Sequence, residues 1–370
     1  MTDNENSTKV KYQRLATDSS DQAPKSATMA RSSLYAACRI ILYLMKLVIV
    51  RFWKLCMSSC LIILLLFWFY GGAVSLMFLM FSVFGLFYYA QDMVLYYPNQ
   101  PPNSRLFVPQ PDPSKLPYEN VFVKTRDGVN LNMYFIKQQQ PYGYPTVVMF
   151  HGNAGNIGHR LHMATCLYSV CHCNILMVEY RGYGRSMGSP SESGLYTDAE
   201  TGLEWLLNRT DVDKSKIFLF GSSLGGAVAI NLVTYPRYTS GVTGLILENT
   251  FTSLPEMAKM LIKTNLLDML PSVCHKNQFY SIMKIQKVMI PTLFLSGQAD
   301  ELIPPKMMQD LYQRSGSSLK RLVPFERGTH NETCLCPKFY ETIAAFMYEV
   351  VNQSAGKSDT AEVAMETQAS

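Results

Sequence analysis

The stretch KIFLFGSSLGGAVAINL, Lys216 to Leu232, joins an apolar run, a cluster of small residues and a second apolar run. Within it, Gly221-Ser222-Ser223-Leu224-Gly225 fits G-x-S-x-G with Ser223 at the centre. Alone the pattern is weak, because Gly/Ser clusters are also ordinary turn punctuation. Its flanks decide the matter. KIFLF reads as a short strand and LGGAVAINLVTY as a helix, so Ser223 falls in a tight strand-to-helix turn. Small residues at Gly221, Gly225 and Gly226 let the two elements close around that turn. Ser223 is then left at a helix N-terminus, where free N–H groups face developing negative charge.

Outward from this turn the chain keeps the same alternation. NVFVKTRDGVNLNMYFI reads as a hairpin around Asp127-Gly128. TVVMF (146–150), ILMVEY (175–180), KIFLF (216–220), GLILEN (244–249), PTLFLSG (291–297) and KRLVPF (320–325) follow as compact apolar runs. Helical windows separate them, such as TDAETGLEWLLNR with Ala199, Leu203, Leu206 and Leu207 on one face. An antiparallel pair followed by alternating strands and helices predicts an α/β fold, a mostly parallel sheet with helices on both faces. Chemistry in such sheets sits beyond the carboxyl ends of the strands.

Three further features fall at such ends. Asp300 lies in QADELIPP after one strand, and His330 in ERGTHNE after the next. A serine hydroxyl is barely ionised at neutral pH and needs a base, and the base needs a carboxylate to fix its tautomer. Ser223, Asp300 and His330 stand in the chain order that such a triad takes in sheets of this kind. FHGNAGN, after TVVMF, has the form of a turn that donates one oxyanion-hole N–H, making Asn153 one donor and Leu224 the other. Glu248, ending GLILEN, is the rival acid, with a structural carboxylate as its plainer role. His151 is read as a brace for the oxyanion turn, as are Arg181 and Tyr183 in YRGYG for their own loop. His159, His162, His172 and His275 are isolated surface or packing residues. Cys171-His172-Cys173 with Cys334 and Cys336 lacks the usual zinc-ligand spacing. The expected chemistry uses neither metal nor organic cofactor.

The N-terminal part is different in kind. Between Lys54 and Asp92 the chain has no charged residue, well beyond the ~20 apolar residues that span a bilayer. The run starts too late and is too long for a cleaved signal peptide, which predicts a retained signal anchor. Through Lys54 there are nine Lys/Arg against four Asp/Glu, leaving 24 of each downstream out of 33 and 28. All of the +5 net charge therefore precedes the anchor. This predicts a cytoplasmic N-terminus and a type II, single-pass protein whose folded domain is lumenal or extracellular. The alternative is a helical hairpin turning at Gly71-Gly72. The charge-balanced downstream domain argues against nucleic acid as a partner. Cys38, Cys56 and Cys60 border or enter the apolar stretch, and six cysteines lie downstream with no pairing deducible. Asn208, Asn331 and Asn352 head N-x-S/T sequons on the lumenal side of the single-span reading.

Together, FHGNAGNIGHR, YRGYG, GSSLGGAVAI, ENTFTS, LIPP and GTHNET resemble the α/β-hydrolase superfamily, and within it the membrane-anchored α/β-hydrolase-domain proteins. The likeness runs from about Phe69 to Val351. It implies a serine hydrolase fold tethered with a cytoplasmic N-terminus. One departure is Glu179 before the Tyr-Arg-Gly-Tyr-Gly motif, where relatives often carry Asp.

The organisation expected is a disordered tail (1–30), a basic juxtamembrane segment (31–54), a transmembrane anchor (55–91), a Pro-rich connector (92–114), the hydrolase domain (115–352) and a disordered tail (353–370). Residues 254–285, rich in Met and Leu, occupy the place of the variable cap, the plainer alternative being a helix buried against the sheet. The activity expected is hydrolysis of a carboxylic ester, thioester or amide with an apolar acyl group, the membrane being a partner and the oligomeric state open. The contrasting expectation is an idle membrane adaptor that keeps the fold.

Overall fold

The computed structural model describes residue 39 and residues 42–262 and 274–368, and its chain divides into two compact units, 1–82 and 83–370. The expected disordered N-terminal tail and residues 263–273 of the expected cap lie outside the described residues.

The apolar stretch forms two helices, α1 (Trp53–Tyr70) and α2 (Gly72–Leu95), of 18 and 24 residues, each long and apolar enough to cross a membrane. Between them Gly71 takes φ 79° and ψ −178°, a conformation open to glycine and almost nothing else, and the helix ends there. At 1.5 Å per residue the two are about 27 and about 36 Å long, against a hydrocarbon core of about 30 Å. The stretch expected as one continuous anchor is thus interrupted at its glycine pair.

In the second unit the hairpin of β1 (Tyr118–Lys124) and β2 (Asn130–Ile136) is followed by β3 (Thr146–Phe150), β4 (Asn174–Val178), β5 (Ile217–Ser222), β6 (Gly244–Glu248), β7 (Thr292–Gly297) and β8 (Lys320–Phe325). They form one sheet in the order β1-β2-β4-β3-β5-β6-β7-β8. β2 pairs antiparallel with β1 and β4, and every later pair is parallel. β4 stops two residues short of the expected end, while β5 runs two residues further, to Ser222.

Strand residues alternate between two cores, as period-two geometry requires. Val148, Phe150, Leu219, Leu245 and Leu247 face one, with Leu203 and Val228 of the helices α4 (Glu192–Leu207) and α5 (Leu224–Leu232). Val147, Met149, Phe218, Phe220 and Ile246 face the other, with Leu167, Ile343 and Met347 of α3 (Leu161–Val170) and the terminal helix Phe339–Gln368. Burial of each such side chain contributes about 1.5–3 kcal/mol. The terminal helix runs to Gln368, through part of the span expected as a disordered tail.

The Pro-rich connector is packed rather than free. Tyr96, Val108 and Leu116 are buried. Asn156 Nδ2 donates to the Ser104 and Phe107 carbonyls at 2.8 and 3.0 Å, and Arg105 donates to the Ser186 carbonyl at 2.9 Å. Tyr96 and Val108 gain burial by this docking, while Leu106 and Phe107 stay exposed.

Candidate active site

Asn153, Ser223, Asp300 and His330 each lie just past the carboxyl end of a parallel strand. β5 ends at Ser222, and Ser223 follows with φ 54° and ψ −118°, strained for a residue with a side chain. The strain persists because its surroundings over-determine it. Ser223 N–H donates to the Glu248 carbonyl at 2.9 Å, and its own carbonyl accepts from Thr250 Oγ1 at 2.7 Å. Helix α5 starts at Leu224 and passes so close to β3 that a Cβ on Gly225 would overlap the Phe150 carbonyl oxygen.

His330 lies between the two other expected partners. Its Nε2 is 3.1 Å from Ser223 Oγ, and its Nδ1 is 2.8 Å from Asp300 Oδ2. The second oxygen of Asp300 accepts from Leu302 and Ile303 N–H at 2.9 and 2.8 Å. Asp300 is buried and His330 half-buried. The turn His151–Asn153 lies beside the serine, since a Cβ on Gly152 would sit 3.5 Å from Ser223 Cβ. Leu224, as the first residue of α5, has no intrahelical partner for its N–H. No backbone carbonyl among the described residues takes the Asn153 N–H.

The rival acid sits elsewhere. Glu248 is paired across the ladder with Ser222, whose hydroxyl it binds. Burial pushes its carboxyl up to about 7, opposed by the Ser222 hydrogen bond and by the charges of His330 and Arg160. The carboxylate bonded to His330 is that of Asp300.

The bracing residues have identifiable partners. Buried Glu179 lies 3.1 Å from His151 Nε2 and accepts from Ile157 N–H at 3.1 Å, so the longer acid still reaches the oxyanion turn. Arg181 binds Asp198 through Nε at 2.9 Å and Asp127 through NH1 at 2.6 Å. Tyr183 donates to Asn153 Oδ1 at 2.8 Å. His159 closes a capping box with Asn156. The described cysteines, Cys56, Cys60, Cys166, Cys171, Cys173, Cys274, Cys334 and Cys336, are free thiols. Among the described residues no group of three or more His, Cys, Asp or Glu is placed to share a metal ion.

Asn249 was not singled out in the sequence. Its buried amide donates to the Thr329 and His330 carbonyls, both at 3.3 Å, and to Thr333 Oγ1 at 2.9 Å, and accepts from Gly297 N–H at 2.8 Å. It thereby joins the end of β7 to the His330 loop. The one available signal was an asparagine directly after a strand end, at a position that takes φ 43°.

The comparisons with known proteins agree with the fold. Residues 144–285 match the family described as "Serine aminopeptidase, S33". Protein bem46 of Schizosaccharomyces pombe is 39% identical over 284 residues, covering 76% of this chain and 93% of its own. The chain belongs to the α/β-hydrolase superfamily. The α/β-hydrolase domain-containing protein WAV2 of Arabidopsis thaliana is 38% identical over 257 residues, covering 66% of this chain and 82% of its own. A Saccharomyces cerevisiae relative described as an uncharacterized membrane protein is 34% identical, covering 76% and 96%. Among solved structures, the Pyrococcus furiosus esterase Pf2001 superposes with a TM-score of 0.54 at 18% identity, covering 66% of this chain and 98% of the esterase. As an α/β hydrolase, the protein carries the superfamily's strand-to-helix turn with a serine at its apex.

Proposed function

We propose that the protein is a membrane-anchored serine hydrolase acting through Ser223, His330 and Asp300 on a carboxylic ester or thioester. The observation that carries this reading is His330, bonded through one nitrogen toward Ser223 Oγ and through the other to Asp300. In the proposed cycle Ser223 Oγ attacks the substrate carbonyl while His330 Nε2 takes its proton, and Asp300 holds the imidazole in the required tautomer. The Asn153 and Leu224 N–H groups hold the oxyanion. His330 then protonates the departing alcohol or thiol. It next activates water, which cleaves the acyl-enzyme and releases the acid.

An apolar acyl group is proposed because the helix Leu254–Ile262, in the place expected for the cap, carries Leu254 and Met257 against the core and leaves Met260 exposed. Turnover of acyl esters that disappears in Ser223→Ala tests the reading. Turnover retained by that variant, or a folded wild type inert to esters, thioesters and fluorophosphonates, would favour the idle adaptor.

For topology we propose a cytoplasmic N-terminus, on the strength of the basic flank. A single pass then places the hydrolase domain in a lumenal or extracellular space, where Asn208, Asn331 and Asn352, all exposed, are open to glycosylation. The break at Gly71 supports a second reading, two passes with the domain returned to the cytoplasm. Endoglycosidase treatment with Asn→Gln variants separates them. A mobility shift abolished by those changes supports the single pass; no shift, with protease access only from the cytoplasmic side, supports the hairpin.

A further inference from the structure

Two observations converge on the last turns of α2. The first is how tightly they are held by the segment that returns from the cap region. The Gln91 amide brackets that segment, donating to the Cys274 carbonyl at 2.7 Å and accepting from Lys276 N–H at 2.9 Å. Asp92 accepts from Asn277 Nδ2 at 2.7 Å and pairs with Lys276 Nζ. Tyr96, buried, donates to Asn277 Oδ1 at 2.8 Å, and the same oxygen accepts from Glu192 N–H at the start of α4 at 3.0 Å. Asn277 is therefore a buried junction between the helix end, the cap return and α4.

The second observation is where the helix end leads. Helix termini leave their last carbonyls without intrahelical partners. One of these, on Leu95, is taken by Asn153 Nδ2. Two residues on, Tyr97 forms a parallel β-bridge with Ala154. The Asn153 side chain is thus clamped from both sides, by the Leu95 carbonyl and by Tyr183 Oη, while the preceding residue, Gly152, borders Ser223. A tether needs none of these bonds; a loop whose N–H must point at a developing oxyanion needs its orientation fixed, because small misplacements cost large factors in rate.

We infer that the C-terminal turns of α2 are a working part of the active site, with Gln91, Asp92, Tyr96 and Asn277 as positioning residues that hold the oxyanion loop through Leu95 and Tyr97. The inference rests on the proposed oxyanion role of Asn153. It makes the last turns of α2 and the reaction centre one mechanical piece.

The test uses the full-length protein in detergent micelles with p-nitrophenyl acetate, a soluble ester that needs no delivery through a bilayer. Active sites are counted by fluorophosphonate titration, so loss of folded enzyme is separated from loss of rate. The double variant Gln91→Ala/Asp92→Ala should lower kcat per titrated site roughly ten- to a hundredfold with KM little changed. Asp92→Asn, which can still accept from Asn277, should restore most of the rate. Asn153→Asp keeps the Tyr183 bond but sets an acceptor against the Leu95 carbonyl, and should lower kcat similarly. An unchanged kcat per titrated site in the double variant and in Asn153→Asp would overturn the inference, as would a loss matched entirely by fewer titratable sites. Both results leave the Ser223 reading standing. That reading fails, and this inference with it, if Ser223→Ala turns over the ester as the wild type does.

Discussion

Glu248→Gln should remove one source of pH dependence in the stability of the sheet's carboxyl edge. Glu248 is fully enclosed, with Ser222 on β5, His330 and Cys334 from the loop after β8, Asp300 from the loop after β7, and Arg160 facing it. Its carboxyl stands at about 7 against an ordinary 4.5, burial being the main cause. The folded state therefore holds this proton between pH 4.5 and about 7, while the unfolded chain releases it. The stabilisation is complete below pH 4.5 and lost as pH rises through about 7. Over that interval, at about 1.4 kcal/mol for each pH unit, the wild type should lose about 3 kcal/mol. Glutamine does not titrate, so the variant escapes this loss. Its amide still accepts from Ser222 but brings an N–H without an acceptor, costing about 1–2 kcal/mol at any pH. The variant should be slightly less stable than wild type at pH 4.5 and more stable at pH 8. Thermal melts of the detergent-solubilised protein, followed by intrinsic fluorescence across this range, read the crossover directly. Parallel curves for the two proteins would refute the reasoning.

Asp300→Asn should lower kcat by roughly 10⁴ with little change in the melting temperature, since the amide cannot orient and charge-stabilise His330; steady-state kinetics with a soluble ester checks this, and near-normal turnover would transfer the role to Glu248. Asn249→Ala should lower stability by about 2–4 kcal/mol and kcat at least tenfold, because it releases four buried hydrogen bonds and puts alanine at φ 43°. Melting curves and kcat, measured together, check both effects. Gly225→Ala should fail to yield folded protein, because its Cβ meets the Phe150 carbonyl and neither backbone can yield; soluble expression with a normal melting temperature would contradict the packing described.

The strands were legible because each is a short apolar run bounded by turn residues, and a parallel sheet buried on both faces needs such runs. Ser223, Asp300 and His330 could be picked out because a serine, an acid and a base at strand ends are what acyl transfer needs, and the structure brings the three together after β5, β7 and β8. Asn249 was not, since asparagine after a strand is ordinary turn chemistry, and its bonds to residues 297 and 329–333 exist only once β6, β7 and β8 are adjacent. The same holds for Gln91, Asp92 and Asn277, which are about 185 positions apart in the chain and read separately as a helix end and a loop. The basic flank favoured one span over a hairpin turning at Gly71-Gly72, and the backbone break falls at that same glycine pair, where a left-handed glycine conformation ends the first helix.

The central claim is that Ser223 is the nucleophile, and covalent labelling by a fluorophosphonate probe tests it most directly. Ser222 is the internal control, one residue away, with its hydroxyl engaged by Glu248 rather than facing His330. The account predicts labelling of the wild type and of Ser222→Ala, and none of a folded Ser223→Ala. Labelling that persists in Ser223→Ala and vanishes in Ser222→Ala would contradict it.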